Sequence, residues 1–599
     1  MSANNPPGGQ DPDRTTAYRW NQGQPESSQQ PGGQPYQQHQ PYPPQQPPYQ
    51  QQPQQPYGQP QQPYGQPQQP YGQPQYNQQQ PYGQQQYGQQ PGYGDQTVRE
   101  PHGWQQQGPE GFGPSHAAPA KKGGKGWLIA AIAAVLVVLV GGGGVYAVSA
   151  LSGGGAQPHE VLPAGAIGYV RIDLDPAANQ KVALFALARK FTVTKDKVTG
   201  DDPRKALFEA IKSDSDSLAD VDFAKDVDPW LGSRIGAAVL PAAAGSEEPG
   251  FAVAVQVTDE AAAKAGIAKL MGKEKYGLAF RDDYAILSED QASAAKYAQG
   301  PTLGEDGEFT GDLDALGEPG VLSFWTNVGK LGEMSKSAMT AEQKQMLDKV
   351  KNARFAGALR FDSAYAELAG VVRGAEAMSA GDPQSANIST LPASTAGAFS
   401  ASGLGDLVVK QWSELMTSAS ATPDGTSAKQ LIDQAQQAYG LSLPDDLGTM
   451  LGKNLTVAVD GEGLDAQMPK VGVRIVTDPA KAEAIMAKIE KALTDSGQAA
   501  PKLNKQSGDG TYTIATTPEY AKQLAEEGTL GDSETFQTAI PDAGSATFAL
   551  YVDLDKIEQF YLKGLQGDDL ANAKLFRAVG LSGTQSGADA SFSLRVLFN

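Results

Sequence analysis

The sequence predicts an α+β protein in three pieces: a disordered N-terminal tail, one transmembrane helix, and an ectodomain of two homologous halves with largely antiparallel sheets. Three observations predict it. The composition changes abruptly along the 599 residues, a long uncharged apolar stretch interrupts the chain, and four segments recur in order at spacings of 219–229 residues. In the last piece, short apolar strands alternate with amphipathic helices, which is the pattern of α/β or α+β domains.

Residues 1–120 form the tail. They contain 24 of the 42 prolines and 36 glutamines but no Leu or Ile, and the heptad PYGQPQQ recurs from Pro56. Such a segment cannot bury enough apolar surface to offset the entropy of ordering it. We therefore expect a disordered tail with polyproline II stretches that acts as a tether; the alternative is a tail that binds partners through its tyrosines.

Residues 127–151 are the predicted transmembrane helix. This stretch has no charged residue, and about 20 apolar residues suffice to span a bilayer. A basic juxtamembrane segment, 121–126, precedes it, and no Lys or Arg follows it until Arg171. The positive-inside rule then places the tail in the cytoplasm and the C-terminal part outside a cell membrane that the chain crosses once, as an uncleaved signal-anchor. The residues that fix this topology are Lys121, Lys122, Lys125 and Trp127.

Charge and composition exclude several kinds of chemistry. The net charge is −20, and since residues 1–126 carry six charges of each sign, all of it belongs to the rest of the chain. There is no cysteine, and the last histidine is His159, so thiol catalysis, cysteine zinc sites and a Ser-His-Asp triad are excluded after that point. The acidic run from Asp214 does not match an EF-hand loop. We predict no catalytic residue, cofactor or metal, and no nucleic acid partner, because nucleic acid is itself a polyanion.

The third piece contains an internal duplication. LPAGAIGYVRIDLDP from Leu162 recurs as LPASTAGAFSASGLG from Leu391, and FAVAVQVTDEAAAKAGIAKLM from Phe251 recurs as KVGVRIVTDPAKAEAIMAKIE from Lys470. Four such matches in one order predict two homologous halves, 162–375 and 391–599. Residues 152–161 and 376–390 are the expected linkers.

Acidic residues recur where a predicted strand gives way to a predicted helix. They are Asp173, Asp175, Asp553 and Asp555. Capping of the helix N-terminus is the favoured interpretation, since a short side-chain oxygen can accept free helix N–H groups. A carboxylate site is the alternative.

The combination of one membrane span, LPAGAIGYVRIDLDP and DFAKDVDPWLGSRIGAAVLP resembles a bacterial family of unknown function. Its members, typical of actinobacteria, are membrane-anchored ectodomains that often carry Pro/Gln/Tyr-rich tails. The resemblance implies no activity, cofactor or catalytic residue. Its most specific mark is the PWLG turn, in which Pro fixes φ, Trp covers the edge of the core and Gly permits the turn into a strand; a ligand-stacking Trp is the alternative. The turn consists of Pro229, Trp230, Leu231 and Gly232.

The function expected from these observations is binding. We predict a single-span, non-enzymatic envelope protein whose acidic ectodomain holds an envelope component or a partner protein, with a cleft between the halves as the natural site. One alternative is a cell-wall glycan hydrolase with two carboxylates about 5–10 Å apart. The other is a transmembrane sensor that signals through its tail.

Overall fold

The structure, a computed structural model, describes residues 156–599 with the exception of 196–201, 214–217, 243–247, 335, 337–338, 376–382, 422–424 and 498–501. The predicted tail, the span at 127–151 and its determinants Lys121, Lys122, Lys125 and Trp127 lie outside the described residues. Among the helices that are described, none is both long and apolar enough to cross a membrane.

The described chain is α+β, as predicted, and its core is one antiparallel sheet of 16 strands. The strands are rich in Val, Ile, Phe and alternating Ala, residues that suit a pleated surface. In the first half they are β1 Gly168–Asp173, β2 Leu231–Leu240, β3 Gly250–Val257, β4 Gly277–Arg281, β5 Tyr284–Ser288, β6 Leu322–Asn327, β7 Arg354–Phe361 and β8 Tyr365–Arg373. In the second half they are β9 Thr395–Ser402, β10 Asn454–Asp460, β11 Val471–Val476, β12 Asn504–Ser507, β13 Thr511–Ala515, β14 Phe548–Asp553, β15 Phe576–Ser586 and β16 Asp589–Phe598.

The two halves have the same strand order. From the outer edge inward, the first half runs β4-β5-β3-β2-β1-β6-β7-β8 and the second half runs β12-β13-β11-β10-β9-β14-β15-β16. The last strands of both halves, β8 and β16, pair with each other over Tyr365–Val372 and Ala590–Leu597. The sequence predicts separate sheets with a cleft between the halves; instead, this pairing makes the two halves one continuous sheet.

Helices connect the strands. In the first half they are α1 Ala178–Lys190, α2 Thr192–Lys195, α3 Pro203–Ser213, α4 Glu260–Met271, α5 Gln291–Gln299, α6 Gly307–Leu316, α7 Val328–Met334 and α8 Ala341–Lys349. In the second half they are α9 Leu404–Ala421, α10 Gly425–Tyr439, α11 Asp445–Leu451, α12 Pro479–Asp495, α13 Pro518–Ala525, α14 Glu534–Ala539, α15 Glu558–Tyr561 and α16 Gly567–Ala573. A Thr-Asp pair recurs in the two repeated segments, as Thr258–Asp259 and Thr477–Asp478, and a helix follows each pair. Asp259 caps α4 by accepting the N–H of Ala262, and Asp478 caps α12, which has Pro479 in its first turn.

The two faces of the sheet are covered differently. One face is buried in both halves, under α6 with Phe309 in the first and under α14 with Phe536 in the second. The other face is covered by α4 near one outer edge and by α12 near the opposite edge. Between those edges the strands alternate buried and half-exposed residues, as β10 and β14 do along their whole length. One side of the middle of the sheet is therefore accessible.

Candidate functional site: an uncharged sheet face at the junction of the halves

The accessible side of the sheet from β7 to β10, here called the central face, carries a continuous row of large apolar side chains. Each member of this row lies directly opposite the next on the neighbouring strand, so the row crosses seven adjacent strands. Six strand spacings correspond to about 29 Å. Two of the members, Leu550 and Phe399, are 37% and 41% exposed, and the others are half-buried. In sheet order the row consists of Leu359, Leu368, Leu594, Leu581, Leu550, Phe399 and Val457.

A second row on the same face is formed by phenylalanines opposite glycines. Phe592 faces Gly370 across the junction, and Phe548 faces Gly583 in the second half. A Cβ on either glycine would come within 2.4 Å of the facing ring, so the rings occupy the space that a side chain would fill. The Phe592 ring also lies parallel to that of Phe355, with centroids 6.1 Å apart. The side chains of both rows are therefore apolar, and the rings fill the space above the glycines.

Helices bound the central face at both ends of its strands. At one end, α1 packs its Leu184 and Phe185 against Leu359 and Phe361 of β7. The adjoining α2 meets α16 of the second half, where the Thr192 N–H donates to Asn572 Oδ1 at 2.8 Å.

At the other end, α7 and α8 follow β6, and α9 follows β9. These two strands are six strand spacings apart in the sheet. The helices nevertheless meet, because Lys349 Nζ of α8 lies 2.7 Å from Glu414 Oε2 of α9. The central face is thus a floor between two helical connections that join the halves.

The junction is also held on its covered side. Glu367 of β8 accepts hydrogen bonds from Ser593 Oγ at 2.6 Å and from Arg595 Nε at 2.9 Å, both on β16, and Arg360 Nη1 is 3.3 Å from its other oxygen. Burial by itself raises the pKa of Glu367, but the hydrogen bond from Ser593 and the arginine charges outweigh burial and hold this pKa below its ordinary value. The Arg595 guanidinium also lies 4.2 Å from the ring centre of Tyr365. Paired charges therefore fix the register of the two halves.

Asp173, a predicted capping residue, belongs to a buried ionic cluster on the covered face. Its Oδ2 pairs with Arg171 of the same strand and with Arg234 Nε of β2 at 3.3 Å. All three residues are less than 5% exposed. In the second half the equivalent positions carry neutral side chains, with Asn454 Nδ2 donating to Ser402 Oγ at 3.0 Å. The two halves thus satisfy equivalent buried positions differently: the first half uses ion pairs, and the second half uses hydrogen bonds between neutral side chains.

The remaining predicted carboxylates are separate from one another. Helix α1 begins after Ala177 without a side-chain cap, so capping by Asp173 and Asp175 is not what the structure shows. Asp175 pairs with Lys181 instead. Asp553 accepts the N–H of Lys556 at 3.3 Å, although the short helix Asp555–Ile557 has Leu554 as its N-cap and no side-chain cap. Exposed Asp555 accepts from Asn599 Nδ2 at 3.1 Å.

The PWLG turn is part of the core. Trp230 is 3% exposed, and its Nε1–H donates to the Asp226 carbonyl at 2.7 Å. The ring lies so close to Gly266 of α4 that a Cβ there would be 2.0 Å from Nε1. Gly232 is equally constrained, because a Cβ would come within 2.9 Å of the Gln256 carbonyl. Pro229 and Leu231 flank this contact, so the turn packs helix α4 onto the sheet and offers no ring to a ligand.

Two cavities lie outside the central face. One of about 980 Å³ in the second half is lined by acidic and basic side chains together, including Asp406, Asp446, Lys453 and Lys488. The other, of about 270 Å³ in the first half, is lined by His159, Tyr169 and Arg171. Burial lowers the pKa of His159 and raises that of Tyr169, so both side chains are neutral near pH 7.

No metal site is evident in the part of the chain that the structure describes, since none of its His, Asp and Glu side chains form a group of three able to hold an ion. The carboxyl pKa values that the surroundings clearly displace, those of Asp226, Glu367 and Glu483, are displaced downward. A general acid for glycan cleavage needs the opposite displacement. These three carboxyls are therefore suited to ion pairing and not to proton donation.

The comparisons with known proteins give a family description and no activity. Residues 129–285 match the model of a family described as "Protein of unknown function (DUF3352)", which supports the predicted resemblance to a family of that kind. No curated protein matches the chain. A solved structure, "Structure of crystal form III of TP0453", is similar at 7% identity with a TM-score of 0.19, covering 37% of this chain and 80% of that one. A TM-score of that size carries no argument about fold or function.

Sequence reasoning did not find the central face, although the signal is present. A strand with one wet face alternates apolar and polar residues, and SFSLRVLF and NLTVAVD both alternate in this way. Read strand by strand, this alternation predicts that the apolar side of each strand is the buried one, whereas in the structure it is the accessible one. Only the register between strands shows that the apolar positions of one side form a single accessible surface.

Proposed function

We propose that the chain is a single-pass envelope protein, with its tail in the cytoplasm and its folded part outside the cell membrane, that binds an envelope component on the central face. The observation that carries the proposal is the row from Leu368 to Val457, which is accessible, uncharged and continuous across the junction. Contiguous apolar patches of this kind on folded proteins mark interaction surfaces. No catalysis is required of this surface, because hydrocarbon side chains and glycine supply no acid, base or nucleophile.

The surrounding charge supports the same proposal. The chain after residue 126 carries the whole −20, and such a field opposes the approach of wall polyanions and nucleic acid. An uncharged ligand that binds at an uncharged face is not repelled by the negative charge of the protein. We therefore place the ligand among apolar envelope components and not among anionic polymers.

Site-directed thiol labelling tests the proposal in the full chain, which has no cysteine of its own. L550C places a thiol on the central face, and M468C places one in the loop between β10 and β11, on a residue that is 58% exposed and is not part of the row. We expect both variants to react in purified, detergent-washed protein. In intact cells, a membrane-impermeant maleimide should label M468C but label L550C at least about tenfold more slowly, because the bound component covers the face.

A third variant, S115C, reports orientation, since a thiol in a cytoplasmic tail is not reached by the impermeant reagent until the membrane is opened. Equal labelling of L550C and M468C in cells would contradict binding at the central face. Labelling of S115C in intact cells would contradict the proposed topology.

A further inference from the structure

We infer that the component held on the central face is lipid, with its acyl chains lying across the strands. This inference rests on the proposed function and deepens it, because an envelope component bound at an apolar face could equally be a protein. Three features favour hydrocarbon: the chemistry of the face, its boundaries and the short tether between the folded part and the predicted span.

The chemistry of the floor offers a protein partner nothing to hydrogen-bond. The strand backbone is already paired on both sides, as Leu581 is with Leu594 and Leu550. Phe592 and Phe548 cover the backbone of the glycines that they face. A protein surface would bring polar backbone and side-chain groups that stay unpaired against such a floor, at a cost in free energy. Methylene chains bring none.

The boundaries of the floor disfavour a second copy of the chain. Two sheets pack face to face at about 10 Å, and the helices at both ends of the central strands stand in the way of that approach. At one end α1 covers Leu359 and Phe361, and at the other Lys349 of α8 meets Glu414 of α9. A flexible chain can enter between these helices. The open part of the row, from Leu368 to Val457, crosses five strand spacings, about 24 Å. This is most of the thickness of about 30 Å of a bilayer's hydrocarbon core, which two acyl chains placed end to end fill.

The predicted span tethers the folded part close to a source of lipid. The predicted span ends at Leu151, and Ala156 is already fixed to the first half, because its carbonyl accepts the Tyr284 hydroxyl at 2.7 Å. Five residues reach at most about 17 Å. The folded part is thus tethered within that distance of the membrane surface, where phospholipid is the abundant apolar component.

The test uses the full chain reconstituted into vesicles of phosphatidylcholine with brominated acyl chains, which quench a fluorophore only at contact. A polarity-sensitive dye is attached to L581C, and in a second variant to F399C, so that the result does not depend on one substitution. M468C is the matched control, because Met468 is an exposed apolar residue in a loop and outside the row. We expect emission at L581C and F399C to fall at least about twofold relative to unbrominated vesicles, with M468C unchanged.

Absence of quenching at both L581C and F399C, or equal quenching at M468C, would overturn the inference. The outcome is separable from that of the labelling experiment. Protection of L550C in cells without quenching in vesicles would leave binding at the central face intact and identify the occupant as protein. Loss of both protection and quenching would remove the proposed function as well.

Discussion

Replacing Asp173 by Asn should destabilise the first half and leave the second half unchanged. The carboxylate lies between two guanidinium groups, those of Arg171 and Arg234, and all three side chains are buried. Removing one partner of a buried ion pair costs about 3–5 kcal/mol, because the remaining charge is left without compensation. The matched substitution in the second half, S402A, removes two neutral hydrogen bonds, one from Asn454 and one to the Ser385 carbonyl, and should cost about 1–2 kcal/mol.

Amide hydrogen exchange of the full chain, read by mass spectrometry, resolves the two halves separately. The loss of about 3–5 kcal/mol corresponds to exchange that is about 10²- to 5 × 10³-fold faster in the β1 and β2 peptides of D173N, with β9 and β10 unaffected. The control D555N, which loses only an exposed contact with Asn599, should exchange like the native chain. Replacing the whole cluster with apolar residues, R171M/D173L/R234M, should restore most of the protection, since a buried ionic cluster is often replaceable by hydrophobic packing. Exchange in D173N within about threefold of the native rate would refute this account of the cluster.

The other predictions concern the junction, the floor and the PWLG turn. G370A should cost about 1–3 kcal/mol, because the new Cβ meets the Phe592 ring, whereas G307A, which meets no atom within 4 Å, should be neutral in the same thermal unfolding assay. The pKa of Glu367 is lower in the folded protein than its ordinary 4.5, so its contribution to stability is present above that pH and is lost as the pH falls through the folded pKa. E367Q should therefore flatten the acid side of the stability profile; a profile with the native slope below about pH 4.5 would contradict this assignment. W230A should cost about 3–5 kcal/mol and W230F less, as measured by denaturant unfolding, and a W230A variant of native stability would show that the ring is not a core anchor.

Local features of the fold could be predicted from the sequence, but the site could not. The strands follow from residue periodicity, and the starts of the helices capped by Asp259 and Asp478 follow from capping chemistry. Both signals act over a few neighbouring residues. The pairing of β8 with β16 joins residues more than 200 positions apart, and no local pattern specifies which edges of two similar halves meet. The prediction of capping at Asp173 and Asp175 was wrong for the same reason. Their partners Arg234 and Lys181 are brought to them by tertiary structure, and a carboxylate prefers a buried guanidinium or an ammonium to a distant helix end.

The most direct measurement is photo-crosslinking of the full chain in its membrane with a phospholipid that carries a diazirine in its acyl chain, followed by mapping of the modified peptides. The predicted span at 127–151 serves as the internal positive control, because a segment that crosses the bilayer would contact lipid wherever the folded part lies. The account predicts additional crosslinks in β8, β16, β15, β14 and β9, on the residues of the row such as Leu368, Leu594, Leu581 and Leu550. Crosslinks confined to 127–151 would contradict the central claim that the face at the junction of the halves holds lipid.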